Sequence, residues 1–248
     1  MKRIFLQILG LLALTAGLAM DFRSPTPAES IQAIGSTEGL SETLQRAFDP
    51  GRDFEQIPFP RAGDWLAEHP EPGQPFEGFV KSRPNRPDKR RDRIYLLPLG
   101  DFAQDRSPSL ETLKEYAASY FVTDVILLPR LSIDSRSLKT RINPITRNRQ
   151  ILTGDVLAVL KDQLPADAFC LLAITMEDLY PDPSWNFVFG QASPRDRVGI
   201  FSFARYDPAF YGGERGEDYQ EVLLRRSCKV LVHEISHMFS AAHCIFYR

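Results

Sequence analysis

Residues 226–244 read RSCKVLVHEISHMFSAAHC, the most informative pattern in the chain. At its centre, His233, Glu234 and His237 form the pattern His-Glu-x-x-His. On an α-helix, positions four apart differ by about 40° in rotation and about 6 Å in rise, so both imidazoles face the same way. Their nitrogens can then reach one metal ion at about 2.1 Å, which suits zinc, and Glu234 is a candidate general base beside the first ligand. The pattern predicts a long zinc-binding helix over residues 219–239.

A third histidine follows this pair. His243 comes six residues after His237, which on a continuous helix would place it about 9 Å further along the axis. It can share the ion only if the helix ends near Phe239 or Ser240 and the chain folds back, which leaves the fourth zinc position for water. The alternative is three histidines that serve only the packing of a helix face and its terminal loop. The fourth histidine, His69, lies in a proline-rich stretch and is expected to be an exposed loop residue.

Upstream of this helix, the sequence alternates between strand and helix patterns. The run AFCLLAIT at 168–175 predicts a strand covered on both faces, with Cys170 as a small buried hydrophobe. We expect residues 132–150 to form a surface loop. The other predicted elements are strands over 94–99, 121–128, 185–189 and 197–206, the last two as a hairpin with core aromatics, and helices over 110–120 and 156–164. This order predicts a domain of the α+β class, with both helices and strands, over residues 92–248.

The N-terminal part has a different composition. Residues 20–91 are rich in proline, glycine and charge, which indicates an extended wrap with one or two short helices, one of them over 36–48. The basic stretch 81–93 is expected to be a solvated connector. Residues 1–19 have the pattern of a secretory signal peptide, which predicts a secreted or periplasmic protein. The alternatives are an uncleaved anchor, or a start at Met20 and a cytoplasmic protein.

Composition and missing motifs exclude several functional classes. The chain has 248 residues with 30 basic and 32 acidic side chains, a net charge of −2, so no electrostatic feature predicts nucleic-acid binding. It lacks the glycine-rich motifs of nucleotide sites and the G-x-S-x-G motif of serine hydrolases. No stable membrane partner is expected, and the sequence leaves the oligomeric state open. In an oxidising compartment, the three cysteines would permit a Cys170–Cys228 or an intermolecular disulfide.

The segment HEISHMFSAAHC at 233–244 resembles the zinc motif of the archaemetzincins, in which HExxHxxGxxH is followed by a cysteine. RSCKVLV at 226–232, IYLLPLGDF at 94–102 and VGIFSFARYDP at 198–208 are also similar to family segments. The resemblance implies a zincin or metzincin-like fold, with a mixed sheet beside the zinc helix and a substrate cleft along its edge strand. It also implies a zinc metallopeptidase that acts on peptide or protein substrates, with His233, His237 and His243 as zinc ligands and Glu234 as the general base.

Two departures from the family pattern bear on activity. Ser240 replaces the glycine that turns the helix back, which should weaken the turn by about 1 kcal/mol. The sequence ends at Arg248, whereas the family continues with further cysteines around a structural zinc and with a Met-turn methionine. By this comparison the chain is C-terminally truncated, with one catalytic zinc and with Cys244 as the remnant of the second, structural site. The alternative function is therefore a catalytically impaired or inactive zinc-binding remnant.

Overall fold

The computed structural model describes residues 22–62, 64–135 and 138–248. These residues form two compact units, one from 22–75 together with 243–248 and the other from 76–242. The units divide at 75/76 and 242/243, so the domain boundary expected at 91/92 stays a prediction. The signal peptide expected at 1–19 lies outside the described residues. Within the described ranges, no helix is both long and apolar enough to cross a membrane.

The first unit contains short helices joined by extended segments, in line with the low apolar content of this region. They are α1 Pro27–Ile34, α2 Glu42–Ala47, α3 Pro50–Asp53 and α4 Trp65–Glu68. The predicted helix over 36–48 is wrong for its first half. Gly39 takes a φ of +81°, and the Ser41 hydroxyl caps the N-terminus of α2 by accepting from the backbone N–H of Leu44. The glycine and the cap delay the start of the helix to Glu42.

The tail of the chain pairs with the segment that precedes α4. The backbone N–H of Ile57 donates to the carbonyl of Phe246 at 3.2 Å, and that of Arg248 donates to the carbonyl of Glu55 at 2.9 Å. The Arg248 guanidinium also forms an ion pair with the Glu55 carboxylate at 2.5 Å. This antiparallel pairing fixes residues 246–248 against the N-terminal segment.

The elements of the second unit are α5 Phe76–Lys81, β1 Arg93–Leu99, α6 Leu110–Phe121, β2 Val125–Leu127, β3 Thr140–Ile142, β4 Arg149–Leu152, α7 Thr153–Gln163, β5 Ala168–Thr175, β6 Asp178–Tyr180, β7 Gly190–Ser193, β8 Val198–Ser202 and α8 Tyr219–Met238. Its main sheet is five-stranded and mixed, with the order β2-β1-β5-β8-β7. Strands β2, β1, β5 and β8 are parallel, and β7 is an antiparallel edge strand beside β8. A smaller sheet has the order β3-β4-β6.

Helices cover both faces of the large sheet, which explains the unbroken apolar sequence of β5. Cys170, Leu172 and Ile174 point to one core, which α6 and α8 share. Leu171 and Ala173 point to the other core, which includes residues of α7. Every residue of β5 is buried, as predicted. The expected mixed α and β fold, with its zinc-motif helix beside a mixed sheet, is confirmed.

Several predicted boundaries are wrong. Phe121 still belongs to α6, which Val122 terminates with a left-handed φ of +50°, so the strand predicted over 121–128 is β2 at Val125–Leu127. Helix α7 begins at Thr153 rather than Val156. The region 132–150, expected to be a loop, contributes β3 and the start of β4 to the small sheet.

The predicted aromatic hairpin is displaced along the chain. Its strands are Gly190–Ser193 and Val198–Ser202, whereas Trp185–Phe189 contributes only an isolated bridge through Val188. The core role predicted for the aromatics holds for Phe201 and Phe203, both fully buried. It fails for Trp185 and Phe189, which are exposed.

Candidate metal centre

Helix α8 fixes the first two histidines of the motif. Leu231, Ile235 and Met238 are buried at helical spacing and anchor one face of α8 in the core. Another face of α8 then carries His233, which is exposed, and His237, which is half-buried. The predicted helix over 219–239 is confirmed at Tyr219–Met238.

Helix α8 ends at Met238, next to the turn predicted near Phe239 or Ser240. Ser240 takes a left-handed φ of +69° and donates its backbone N–H to the carbonyl of His237 at 2.9 Å. The next N–H, of Ala241, donates to the carbonyl of Ser236 at 3.2 Å. This pair of bonds is the Schellman motif, which normally places glycine in the left-handed position. The turn predicted near Phe239 or Ser240 is therefore confirmed, with serine in the glycine position.

Asn85 supports this turn from the connector before β1. Its side-chain amide donates to the carbonyls of Met238 and Pro194, both at 3.1 Å. Its backbone N–H donates to the Ser240 hydroxyl at 3.0 Å. Asn85 thus satisfies a helix-terminal carbonyl and binds the serine that replaces glycine. Sequence reasoning missed this residue, because nothing in the basic connector distinguishes it from its solvated neighbours.

The two helical histidines face each other through their Nε2 atoms. These atoms are 3.1 Å apart, and the imidazole rings are nearly perpendicular at 83°. The Nδ1 atom of His237 is 2.7 Å from the carbonyl oxygen of Ala241, an acceptor that the turn after α8 supplies. With Nδ1–H donating to this carbonyl, the lone pair of His237 is on Nε2, the atom that faces His233.

His243 has an oxygen partner of its own. Its Nδ1 lies 2.6 Å from Oε1 of Glu71. His233, His237 and His243 each offer one possible ligand nitrogen, and these nitrogens all lie within 4.8 Å of one another. Among the described residues this is the one group of three or more such side chains that could hold a metal ion.

Glu234 occupies a partly desolvated position beside the edge strand. Its loss of contact with water raises its pKa to about 7. A Cβ atom added at Gly190 of β7 would lie only 3.2 Å from Oε1 of Glu234, so the carboxylate approaches the backbone of this strand closely. Burial, and secondarily the negative charge of Glu234, raises the pKa of Tyr206 to about 12. The Tyr206 ring stacks on Phe189 with centroids 5.9 Å apart.

The cysteines do not form a disulfide. Cys170 and Cys228 are free, buried thiols in the core that α6 and α8 share. Their pairing in an oxidising compartment stays a prediction. Burial raises the pKa of both thiols. Cys244 is exposed, and the one metal-competent cluster of the described residues does not include it. Its role as a remnant of a second zinc site stays a prediction.

The sequence of the chain is similar to those of known proteins. No family model matches the chain. It is 41% identical over 237 residues to archaemetzincin-2 of Macaca fascicularis, an alignment that covers 83% of this chain and 65% of the relative, so the chain spans about two-thirds of that length. It is 38% identical over 259 residues to archaemetzincin-2 of Homo sapiens, covering 93% of this chain and 71% of the human protein.

A solved structure is also similar. It is the zinc-dependent peptidase of Methanocorpusculum labreanum, at 25% identity and a TM-score of 0.47, covering 61% of this chain and 83% of the archaeal one. The match to the human relative, which covers 93% of this chain and 71% of that protein, shows the family of this chain. The chain belongs to the archaemetzincin family.

Proposed function

We propose that this protein is a zinc-dependent metallopeptidase in which His233, His237 and His243 hold the metal and Glu234 is the general base. The observation that carries the proposal is the convergence of one ring nitrogen from each histidine within 4.8 Å. Membership of the archaemetzincin family supports the same ligand set. The substrate class that fits is a peptide or protein.

The donor set suits zinc. Two nitrogens bound to one tetrahedral zinc at about 2.1 Å are about 3.4 Å apart, close to the 3.1 Å between Nε2 of His233 and Nε2 of His237. Three neutral imidazoles leave one position of a tetrahedral site open, which is the arrangement of catalytic rather than structural zinc. A bound zinc ion would supply Lewis acidity, which activates water at neutral pH and polarises a carbonyl group.

The protein's own side chains would then move the proton and place the substrate. Glu234 would accept a proton from the attacking water and return it to the departing amine, the role that the glutamate of the His-Glu-x-x-His pattern has in zinc peptidases. Among the described residues, β7 pairs with β8 on one side only, so we expect an extended peptide to add main-chain hydrogen bonds along its other edge. Gly190 in this strand is the residue whose backbone lies against the Glu234 carboxylate. The proposal therefore places the scissile bond beside β7.

The test combines metal analysis with peptide hydrolysis by three forms of the chain. Wild type should contain one zinc and cleave members of a fluorogenic peptide library. Glu234→Ala should keep its zinc and lose at least about 100-fold in kcat/KM, the usual contribution of a general base. Glu221→Ala, an exposed change in the first turn of the same helix, should behave as wild type.

Each contrary result has a definite meaning. One zinc per chain without hydrolysis by wild type would leave a zinc-binding protein without peptidase activity. A chain that binds no zinc would overturn the ligand set as well. Equal hydrolysis by wild type and Glu234→Ala would remove Glu234 from the mechanism.

A further inference from the structure

We propose that Glu71 is a positioning residue that holds His243 in the orientation and tautomer needed to bind zinc. The inference rests on the proposed function, because it takes His243 to be a ligand. It gives the N-terminal segment a role in building the metal site, one that the His-Glu-x-x-His motif does not encode.

The contact between the two side chains defines the tautomer. Oε1 of Glu71 lies 2.6 Å from Nδ1 of His243, and both side chains are partly buried, with exposed fractions of 22% and 35%. An ionised carboxylate can only accept hydrogen bonds, so Nδ1 must carry the hydrogen. The lone pair of the neutral ring is then on Nε2, which becomes the metal-binding nitrogen.

Trp65 fixes the carboxylate. Its indole Nε1–H, which can only donate, lies 2.5 Å from the same Oε1 atom of Glu71. The Trp65 ring also meets the His243 ring edge-on, with centroids 5.8 Å apart, and packs against His69 at 4.1 Å. Glu71 therefore accepts two hydrogen bonds on one oxygen, and the indole restricts the carboxylate and the imidazole together.

The backbone on either side keeps the contact in register. A Cβ atom added at Gly73, two residues after Glu71, would lie 2.7 Å from Cδ1 of Ile245, two residues after His243. Ile245 is only 5% exposed, so the two segments pack closely at this point. The pairing of Ile57 with Phe246 extends the same attachment along the tail. The contact between Glu71 and His243 thus belongs to a packed junction within one compact unit.

His237 shows the same arrangement, with a different acceptor. Its Nδ1 is 2.7 Å from the carbonyl oxygen of Ala241, as that of His243 is 2.6 Å from Glu71. Histidine ligands of metals commonly donate their second N–H to a carboxylate or a carbonyl, and loss of that partner weakens metal binding by about 10- to 100-fold. We therefore expect Glu71 to set the zinc affinity through His243.

The experiment measures zinc affinity by competition with a chromophoric chelator, and it counts the imidazoles on the metal by X-ray absorption at the zinc edge. Glu71→Ala should weaken zinc binding by about 10- to 100-fold and reduce the count from three imidazoles to two. Glu71→Gln, which keeps an acceptor of the same shape without the charge, should give a smaller loss. Trp65→Phe should also give a smaller loss, because it frees the carboxylate but keeps a ring.

Glu55→Gln is the matched control. It removes a carboxylate from the same unit that pairs with Arg248 rather than with His243, and it should leave zinc affinity within about twofold because exposed ion pairs contribute little. The unfolding midpoint of the metal-free protein separates positioning from structure. A positioning role predicts that Glu71→Gln leaves this midpoint close to that of wild type while zinc affinity falls.

Two results would overturn the inference while the proposed function stands. One is a Glu71→Ala variant that binds zinc within twofold of wild type through three imidazoles. The other is a Glu71→Gln variant whose loss of zinc affinity is fully explained by a lower unfolding midpoint of the metal-free protein. If the wild-type protein binds no zinc, the ligand set and this inference both fail. They also fail if the His243→Ala variant binds zinc with the same affinity as wild type.

Discussion

Ser240 shows at the scale of one residue how a departure from a family pattern is compensated. A non-glycine residue with a φ of +69° costs about 1 kcal/mol or more. The hydroxyl that accompanies this cost accepts a hydrogen bond from the Asn85 backbone at 3.0 Å, which contributes about 0.5–1.5 kcal/mol. The two effects are of similar size and opposite sign. We therefore expect the hydrogen bond to offset much of the strain that serine brings to the turn before His243.

Substitutions at Ser240 separate these two effects. Ser240→Ala keeps the left-handed strain and loses the hydroxyl, so it should lower the free energy of unfolding by about 1 kcal/mol. Ser240→Gly loses the hydroxyl but also the strain, so it should be about 1 kcal/mol more stable than Ser240→Ala and close to wild type. Urea denaturation of the three forms measures both differences. Equal stability of the alanine and glycine variants would show that the turn carries no strain.

The edge strand β7 carries a prediction at the scale of the element. A methyl group on Gly190 would lie 2.8 Å from Cβ of Phe201 and 2.9 Å from the backbone oxygen of Ile200, so the strand must shift. Overpacking of this kind costs about 1–3 kcal/mol. Because Glu234 is also close to this strand, Gly190→Ala should reduce peptide hydrolysis while one zinc remains bound.

Gly154 in α7 is the matched control, since a Cβ atom there would meet no atom within 4 Å. Gly154→Ala should raise the free energy of unfolding by up to about 1 kcal/mol through its helix propensity and leave hydrolysis unchanged. Stability and kcat/KM of both variants are the measurements. Full activity in a folded Gly190→Ala protein would exclude β7 as the strand that adjoins the reaction.

The elements that sequence predicts well are the long ones with a strong period. The buried run of β5 and the helix α8 appear with nearly the expected bounds, because seven consecutive apolar residues or five helical turns leave few alternatives. Strands β3, β4 and β6 have only three or four residues each, too few for a periodic signal. Polar contacts stabilise this small sheet; for example, the Gln150 side-chain amide donates to the Asp178 carboxylate at 2.8 Å. A hydrophobic pattern in the sequence cannot predict such contacts.

At the scale of the whole molecule, the sequence predicts the candidate metal ligands and general base but not the side chains that support them. The three histidines and Glu234 could be found because their spacing is local and their chemistry is specific. Asn85 and Glu71 could not be found in this way. Each reaches its partner across more than 150 positions of the chain, and an asparagine or glutamate in a polar segment carries no signal of such a contact.

Metal binding should also stabilise the molecule as a whole. A ligand that binds only the folded state raises the free energy of unfolding by about 2.7 kcal/mol at a free concentration 100 times its Kd. Zinc added to the metal-free protein should therefore raise its unfolding midpoint, and a chelator should reverse the change. His237→Ala should show no such response. A wild-type midpoint that zinc does not move would contradict binding at a folded site.

The central claim is that three histidines bind one zinc ion next to Glu234, and anomalous diffraction at the zinc edge tests it most directly. Crystals of the zinc-loaded protein should show one strong anomalous peak per chain, about 2.1 Å from Nε2 of His233, His237 and His243. The absence of a peak among these nitrogens, or a peak on Cys244 instead, would contradict the claim.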